Sequence, residues 1–251
     1  MLTRRDLAIV ARREGISVGA VERDYLQHLL LRHVDGDRLA FKGGTCLRIA
    51  LGSPRYSEDL DFTCIGDSTR LLPTLSRLVK ALADYGIVAE FLEEEQHGAD
   101  SLAGRFRYEG PLFDGSDGSR GTIWVDVSLR ERVPTTVLVV GRTPYAEVPQ
   151  LVLTCLEIEH LMAEKVRALL VRSKARDLFD VAFLLDRKVE APRTLIDQKL
   201  AISAKDLQHI DITAQVRKAS RDWERDLGVL LGRVPPLDQA RSTVERYLAG
   251  L

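Results

Sequence analysis

Residues 42–62 of the chain read KGGTCLRIALGSPRYSEDLDF and carry the strongest local signals of the sequence. The apolar residues 39–41 can form a strand, and the glycine pair at 43–44 lets the backbone turn sharply and approach a ligand closely. Thr45 then offers a hydroxyl group suited to capping a helix, which is predicted over 46–51. The stretch therefore predicts a strand, a glycine turn and a short helix.

The same stretch ends in an acidic pair, Asp59 and Asp61, within a predicted strand. Alternation along a strand puts both carboxylates on one face and Leu60 and Phe62 on the other. Strands disfavour aspartate, and two adjacent carboxylates repel each other unless a cation lies between them. The acidic pair therefore predicts that something positively charged binds at this strand.

Together, the glycine turn and the acidic pair fit a nucleoside triphosphate with its metal ion. The backbone N–H groups and the dipole at a helix N-terminus favour a phosphate, and two carboxylates can hold the accompanying Mg²⁺. The residue order is not that of a P-loop. It resembles the first motif of the DNA polymerase β-type nucleotidyltransferase superfamily, which is Gly-Gly-Ser/Thr, a helix and loop, then Asp-x-Asp. The alternative is a glycine turn followed by an acidic hairpin in solvent.

Composition and charge narrow the class of protein. The chain has 251 residues, of which 45% are hydrophobic, and a formal net charge of −1, so the protein as a whole is not a polyanion-binding one. It has no apolar run long enough to span a bilayer and no apolar signal segment after its first charged residues. The cysteines at 46, 64 and 155 have neither a disulfide-framework nor a zinc spacing. These features predict a cytoplasmic protein without a membrane segment.

Periodicity predicts further elements on both sides of the central stretch. Helices and strands are mixed in the first half, whereas everything after Pro149 is expected to be helical, beginning with a strong helix over 154–171. The predicted helices are 3–14, 18–33 and 69–85, the predicted strands are 87–92, 102–108, 122–129 and 137–140, and a polar loop is predicted over 93–100.

A third candidate carboxylate, Asp126, lies in the predicted strand 122–129. It shares a strand face with Trp124 and Ser128, and a lone aspartate in an otherwise apolar strand is unfavourable unless it is paired or metal-bound. Beside Asp59 and Asp61, it is predicted to be a third metal ligand, as two-metal nucleotidyl transfer requires. The alternative is an aspartate on an edge strand that points into water.

The second half adds a few charged residues in predicted helices. Lys165 interrupts an apolar helical stripe, so its ammonium group either extends to solvent along its methylene chain or meets an anion. Asp177 and Asp180 are three residues apart and share a helix face, where one of them can be a partner of the helix dipole. The five basic residues between 162 and 176 either form a solvated face or hold phosphate or an RNA backbone.

Several motifs together resemble the AbiEii/AbiGii-like (MenT-like) nucleotidyltransferase toxins of toxin–antitoxin systems. The resemblance covers roughly residues 20–185, and the tail beyond it is not diagnostic. It is carried by ERDY at 22–25, KGGT at 42–45, RYSEDLDF at 55–62, EK at 164–165 and RDLFD at 176–180, with Arg23 where family members tend to have lysine.

The resemblance implies a mixed α/β (α+β) fold. A nucleotidyltransferase core over 1–150, with a mixed sheet flanked by helices, would precede an α-helical C-terminal domain over 151–251 that completes the active site. The implied activity is transfer of a nucleoside monophosphate from an NTP, with release of pyrophosphate, to a macromolecular acceptor. In studied relatives that acceptor is the 3′ end of tRNA, and translation is blocked. The expected partners are a cognate antitoxin, NTP and tRNA, and the expected cofactor is Mg²⁺ as two ions, with Mn²⁺ as the alternative.

The resemblance also implies roles for single residues, although Asp126 is assigned from strand alternation more than from the family. The predicted catalytic residues are Asp59, Asp61, Asp126, Lys165 and Asp177. The predicted nucleotide-binding residues are Gly43, Gly44, Thr45, Arg55, Ser57, Lys165 and Asp180, and the predicted metal ligands are Asp59, Asp61 and Asp126.

Two other functions fit part of the pattern. A small-molecule nucleotidyltransferase, such as one that inactivates an antibiotic, would share the central motif but would not need the basic stretch 162–176. A binding protein on a decayed catalytic core would need neither the intact Gly-Gly-Thr motif nor both motif aspartates.

Overall fold

A seven-stranded mixed sheet organises the first part of the chain. The structure is a computed structural model that describes residues 1–93, 100–130 and 135–251, and these divide into two compact units, 1–156 and 157–251. In the first unit the helices are α1 Arg4–Glu14, α2 Val18–Leu31, α3 Gly43–Ile49 and α4 Leu71–Ala83, and the strands are β1 Leu39–Lys42, β2 Asp59–Cys64, β3 Val88–Glu93, β4 Ser101–Glu109, β5 Gly121–Ser128, β6 Thr136–Gly141 and β7 Leu151–Leu156.

The strand order places the acidic strand near the middle of the sheet. The order is β3-β4-β5-β2-β1-β7-β6, with β2 antiparallel to β1 and parallel to β5. Leu60 and Phe62 of β2 are fully buried, as alternation predicts, and the Phe62 ring lies 5.4 Å from that of Phe41 on β1. Because β2 has a paired strand on each side, the position of its outward-facing carboxylates is fixed by two ladders.

Helices cover the apolar face of this sheet. α2 packs against β5, and α4 packs against β3. α4 does so through a buried leucine stripe at helical spacing, which is Leu71, Leu75, Leu78 and Leu82. α1 begins at a capping box between Thr3 and Asp6 and ends at Gly15 in the left-handed conformation. The prediction of a mixed α/β fold is confirmed.

One strand was not predicted. Residues 151–156, which the sequence assigned to an all-helical second half, form β7 between β1 and β6, and the helix predicted over 154–171 begins only at Ile158. The other predicted strands occur within a residue or two of their predicted bounds. The inner part of the loop predicted over 93–100 lies outside the described residues.

The second unit is helical. Its helices are α5 Ile158–Arg172, α6 Ala175–Asp186, α7 Arg193–Ala201, α8 Ile212–Ser220, α9 Trp223–Gly228 and α10 Leu237–Ala249. α6 is in contact with α5, α8, α9 and α10, and the Phe179 ring on α6 lies 6.3 Å from that of Trp223. Among the residues that the structure describes, no helix has the length and apolarity needed to cross a membrane.

Candidate active site

The glycine turn after β1 brings Gly43 against the carboxylate of Asp61. Gly43 has a φ of 77°, in the left-handed region that favours glycine. A Cβ atom on Gly43 would lie 1.9 Å from Oδ2 of Asp61, so no side chain fits between the two residues. The predicted turn and the predicted acidic strand are therefore in direct contact.

Gly44 lies against Arg55 and Ser57, two residues predicted to bind nucleotide. A Cβ atom on Gly44 would lie 2.5 Å from Nη2 of Arg55 and 2.7 Å from the hydroxyl oxygen of Ser57. Arg55 is buried, and its Nη1 donates a hydrogen bond to the carbonyl oxygen of Tyr56 at 3.0 Å. The close approach that glycine allows thus brings a cation and a hydroxyl group to the turn.

Thr45 is not the helix cap that the sequence predicts. α3 begins at Gly43, with Lys42 in the N-cap position and no side-chain capping bond, so Thr45 lies inside the first turn. Its buried hydroxyl donates a hydrogen bond to the backbone carbonyl oxygen of Asp59 at 2.5 Å. Because this hydroxyl joins α3 to β2, a phosphate contact from Thr45 would come from its backbone N–H group.

The three predicted metal-ligating carboxylates share one face of the sheet. Asp59 and Asp61 are two residues apart on β2 and therefore point to the same face. Asp61 is in register with Asp126 on the parallel strand β5. Lys42 on β1 is in register with Asp61 and adds a cationic side chain to the same face. Within 1–93, 100–130 and 135–251, no group of three His, Cys, Asp or Glu residues is arranged to hold a metal ion. The role of Asp126 as a third ligand stays a prediction.

A buried polar network on α2 was missed by the sequence reasoning. The fully buried carboxylate of Asp24 accepts hydrogen bonds from Nε of Arg48 at 2.5 Å and from the hydroxyl of Tyr145 at 2.7 Å. Burial alone would raise the pKa of Asp24, but the nearby His28 and Arg48 hold this pKa below its usual range. The signal in the sequence was the ERDY segment at 22–25, to which only the resemblance gave a meaning.

This network holds the loop that leads into β2. The Arg48 guanidinium stacks over the Tyr56 ring, 3.4 Å from its centroid. On α2, Gln27 donates to the carbonyl oxygen of Ser57 at 3.2 Å, and Arg23 forms a 2.8 Å ion pair with Glu58. α2 thereby positions the loop that carries Arg55 and Ser57, without being one of the predicted nucleotide-binding elements.

The predicted site residues of the second unit form ion pairs within that unit. Nζ of Lys165 lies 2.8 Å from the carboxylate of Asp180, and both side chains are buried. The fully buried carboxylate of Asp177 accepts two hydrogen bonds from Arg172, at 2.6 and 2.8 Å. Lys165 therefore does not extend to solvent, and an anion within its own unit explains the interruption of the apolar stripe.

A second buried pair lies beside Lys165 in the sequence. Glu164 accepts a hydrogen bond from Lys199 of α7 at 3.2 Å, and both residues are buried. Nothing in the pattern of the sequence pointed to Lys199. The catalytic and nucleotide-binding roles of Lys165, Asp177 and Asp180 stay predictions.

Solved structures of other proteins have a similar fold. The chain is similar in fold to MenT4, a nucleotidyltransferase toxin from Mycobacterium tuberculosis H37Rv, with 20% identity and a TM-score of 0.68 over 100% of this chain and 91% of that one. It is also similar to JHP933 from Helicobacter pylori, with 19% identity and a TM-score of 0.57 over 93% and 92% of the two chains. No curated protein sequence matches the chain.

A family model decides the assignment. The model described as "Nucleotidyl transferase AbiEii toxin, Type IV TA system" matches residues 24–249, which is nearly the whole chain. The matched segment includes the glycine turn, the acidic strand and the ion-paired helices α5 and α6. The chain therefore belongs to the AbiEii family of nucleotidyltransferase toxins of type IV toxin–antitoxin systems.

Proposed function

We propose that this toxin transfers a nucleoside monophosphate from an NTP to the 3′ end of tRNA in a Mg²⁺-dependent reaction, which blocks translation. The observation that carries the proposal is the contact of Gly43 with Asp61, which puts the glycine turn directly beside a carboxylate of the acidic strand. A triphosphate and its metal ion need this adjacency, because the carboxylates would hold the ion beside the phosphates whose charge it would neutralise.

The turn offers a suitable place for the triphosphate. The turn leads into the first backbone N–H groups of α3, which have no side-chain capping bond, and Arg55 and Ser57 lie against Gly44 of the same turn. A buried guanidinium provides several hydrogen-bond donors and a fixed positive charge, which suits phosphate oxygens. These groups would bind the leaving pyrophosphate and stabilise the negative charge that grows on it.

The carboxylates fit Mg²⁺ by their chemistry. Mg²⁺ is held by oxygen ligands and binds through one or two carboxylates plus substrate phosphates rather than in an all-protein cage. Asp59 and Asp61, on one face of β2, supply such a pair, and Asp126 in register with Asp61 is the candidate for a third oxygen ligand. When bound, the ion would neutralise charge on the phosphates in the transition state.

The acceptor and the antitoxin are inferred from the family. Membership of a toxin–antitoxin family implies a protein antitoxin and an NTP substrate. The basic stretch 162–176 supports a nucleic-acid acceptor only in part, because Lys165 is paired with Asp180 and Arg167 donates to Ser203 at 3.0 Å. Lys174 is exposed and remains a candidate contact for an RNA backbone.

Labelling tests this proposal directly. The protein is incubated with each α-labelled NTP in turn and with total RNA and protein, and the labelled macromolecule is identified. Label in the tRNA fraction, dependent on Mg²⁺ and absent from an Asp61→Asn variant, is the expected result. Label in protein, or drug resistance without growth arrest on expression, would redirect the function to another acceptor.

A further inference from the structure

An exposed tryptophan lies on the sheet face that carries the carboxylates. Trp124 of β5 has 44% of its surface exposed, although its strand neighbours Ile123 and Val125 are buried. It is in register with Asp59 on β2 and lies two residues before Asp126 on the same face. Tryptophan is strongly buried on average, so a large aromatic surface left open beside a reaction centre calls for a ligand.

A cation accompanies this ring. Arg105 of β4 is in register with Trp124, and its guanidinium carbon lies 5.4 Å from the centroid of the indole ring. Arg107, two residues further along β4, lies on the same face but forms a 2.5 Å ion pair with Asp117, so the cation that accompanies the ring is Arg105. An aromatic ring flanked by arginine is the combination that binds a nucleobase by stacking and its phosphodiester by charge.

The order of these groups across the sheet places Trp124 on the side from which the acceptor would approach. The glycine turn follows β1, the acidic pair is on β2, Trp124 is on β5 and Arg105 is on β4, which are four consecutive strands. In phosphoryl transfer the attacking and leaving oxygens lie in line on opposite sides of the phosphorus. If pyrophosphate leaves on the side of the glycine turn, the acceptor hydroxyl arrives from the side of β5.

The distance suits a single nucleoside. Neighbouring strands are about 4.8 Å apart, so the indole is displaced from the acidic pair by about one strand spacing. This is similar to the span between a ribose hydroxyl and the base on the same sugar. A 3′-terminal hydroxyl held at the carboxylates would therefore bring its own base to the ring.

We propose that Trp124, with Arg105 beside it, is the stacking platform for the terminal nucleobase of an RNA acceptor. This role depends on the proposed transfer reaction and specifies how the acceptor is recognised. A stacking platform accepts any base, because every base has a π face. The platform therefore selects a single-stranded 3′ end rather than a sequence.

Intrinsic fluorescence can test the platform without any transfer. The chain has two tryptophans, and the other, Trp223, is buried in the second unit with 2% exposure. A Trp223→Phe protein reports on Trp124 alone. It is titrated with a short single-stranded RNA, and separately with NTP, in the absence of divalent ions, and RNA is expected to quench the emission. If Trp223→Phe does not fold, the difference between wild type and Trp124→Phe gives the same signal.

Matched variants separate stacking from structure. Removing one base–aromatic stack costs ~1–3 kcal/mol, so Trp124→Ala should weaken RNA binding about 5- to 150-fold, at tenfold per 1.4 kcal/mol. Trp124→Phe should retain most of the affinity, whereas Trp124→Leu, similarly apolar but without a ring, should not. NTP affinity should be unchanged in all three, and KM for RNA should rise in the aliphatic variants.

The outcomes distinguish this inference from the proposed function. Equal quenching by NTP alone would assign the ring to the base of the nucleotide substrate, and no quenching by RNA would remove the platform. Wild-type protein that labels tRNA while Trp124→Ala binds RNA normally would overturn only the platform. Quenching by RNA without any labelling would overturn only the transfer reaction.

Discussion

The sheet of the first unit and the helices of the second unit arrange their charged residues differently. On the sheet, like charges are neighbours beside a lysine, since Asp61 has Asp126 in register on one side and Lys42 on the other, and Asp59 lies two residues away on its own strand. In the second unit the buried acids contact cations. The pairs there are Lys165 with Asp180, Arg172 with Asp177 and Lys199 with Glu164.

This difference shows that a charged residue can occupy an energetically unfavourable position for two reasons, either to bind a cationic ligand or to pair with a buried counter-ion. Adjacent carboxylates repel each other, and the ammonium group of Lys42 carries a single charge, so a cluster of three carboxylates favours the binding of a further cation. A buried ion pair, in contrast, accounts for its own charges, because each ion compensates the other. Perturbed or buried charges alone are therefore weaker evidence for catalysis in the second unit than in the first.

The largest expected effect concerns the like-charged face. Asp59→Asn and Asp61→Asn should each reduce nucleotide transfer by about 10³-fold or more, since a metal site stabilises the transition state by several kcal/mol and each 1.36 kcal/mol is tenfold in rate. Stability should hold or rise slightly, because removing one charge relieves repulsion. Single-turnover transfer and thermal unfolding measure the two quantities, with the exposed Asp84→Asn as the control. Normal nucleotide transfer by either variant would mean that this carboxylate does not hold a catalytic metal ion, and the contrast between the two units would then have no functional basis.

The next largest effect concerns the buried ion pair of Lys165 and Asp180 in the second unit. Lys165→Met should lower the free energy of unfolding by about 3–5 kcal/mol, because it breaks a buried ion pair by removing the cation 2.8 Å from Asp180. The double variant Lys165→Met/Asp180→Leu should recover much of that loss. Denaturant unfolding checks both variants. A stable single variant would mean that the pair contributes little, and the contrast between the units would then lose its energetic basis.

A smaller effect is expected at the glycine turn. Gly43→Ala should cost about 1–2 kcal/mol for the left-handed backbone alone, and its methyl group would also displace the Asp61 carboxylate. The rate of nucleotide transfer should fall by a larger factor than the decrease in folded protein explains. Gly19→Ala is the matched control, since Gly19 lies in α2 with open space around it, and alanine there should stabilise by about 0.5–1 kcal/mol. Equal effects at both positions would contradict the close contact.

The smallest effect sharpens the comparison within the second unit. The Arg172 side chain is 46% exposed, whereas its partner Asp177 is fully buried. Arg172→Lys keeps the charge and loses the two-point contact, so the cost should be at most about 1 kcal/mol, as for partly exposed pairs. Chemical unfolding beside Lys165→Met would show the ranking, and a larger loss for Arg172→Lys would reverse it.

The sequence predicted the local parts of the site. The glycine turn and the alternating strand follow from short-range rules on backbone freedom and strand alternation, whereas the alignment of Asp126 with Asp61 depends on the pairing of β5 with β2. Asp61 packs against Gly43 because β1 pairs with β2. These two strands follow one another in the chain, so their pairing is a short-range one. The fold class was implied by the resemblance to the nucleotidyltransferase toxins, and the mixture of predicted helices and strands in the first half agreed with it.

Long-range partners could not be predicted in the same way. β7 has the sequence LVLTCL, a short apolar run that periodicity alone does not distinguish from the start of a helix. Its strand conformation is decided by pairing with β1, which is far away in the sequence, and with the preceding strand β6. The contacts of Asp24 with Arg48 and of Lys165 with Asp180 join residues of different helices, so they depend on how those helices pack and could not be predicted from the local sequence.

The contact between Gly43 and Asp61 has a consequence for how this family can change. The Oδ2, Cγ and Cβ atoms of Asp61 would lie 1.9, 2.6 and 2.7 Å from a Cβ atom on Gly43. Any side chain at position 61 brings its own Cβ atom to this place, so the requirement for glycine at position 43 outlasts the acid. A relative that had lost the acid should therefore still have this glycine, and the glycine alone is no evidence that the chemistry persists.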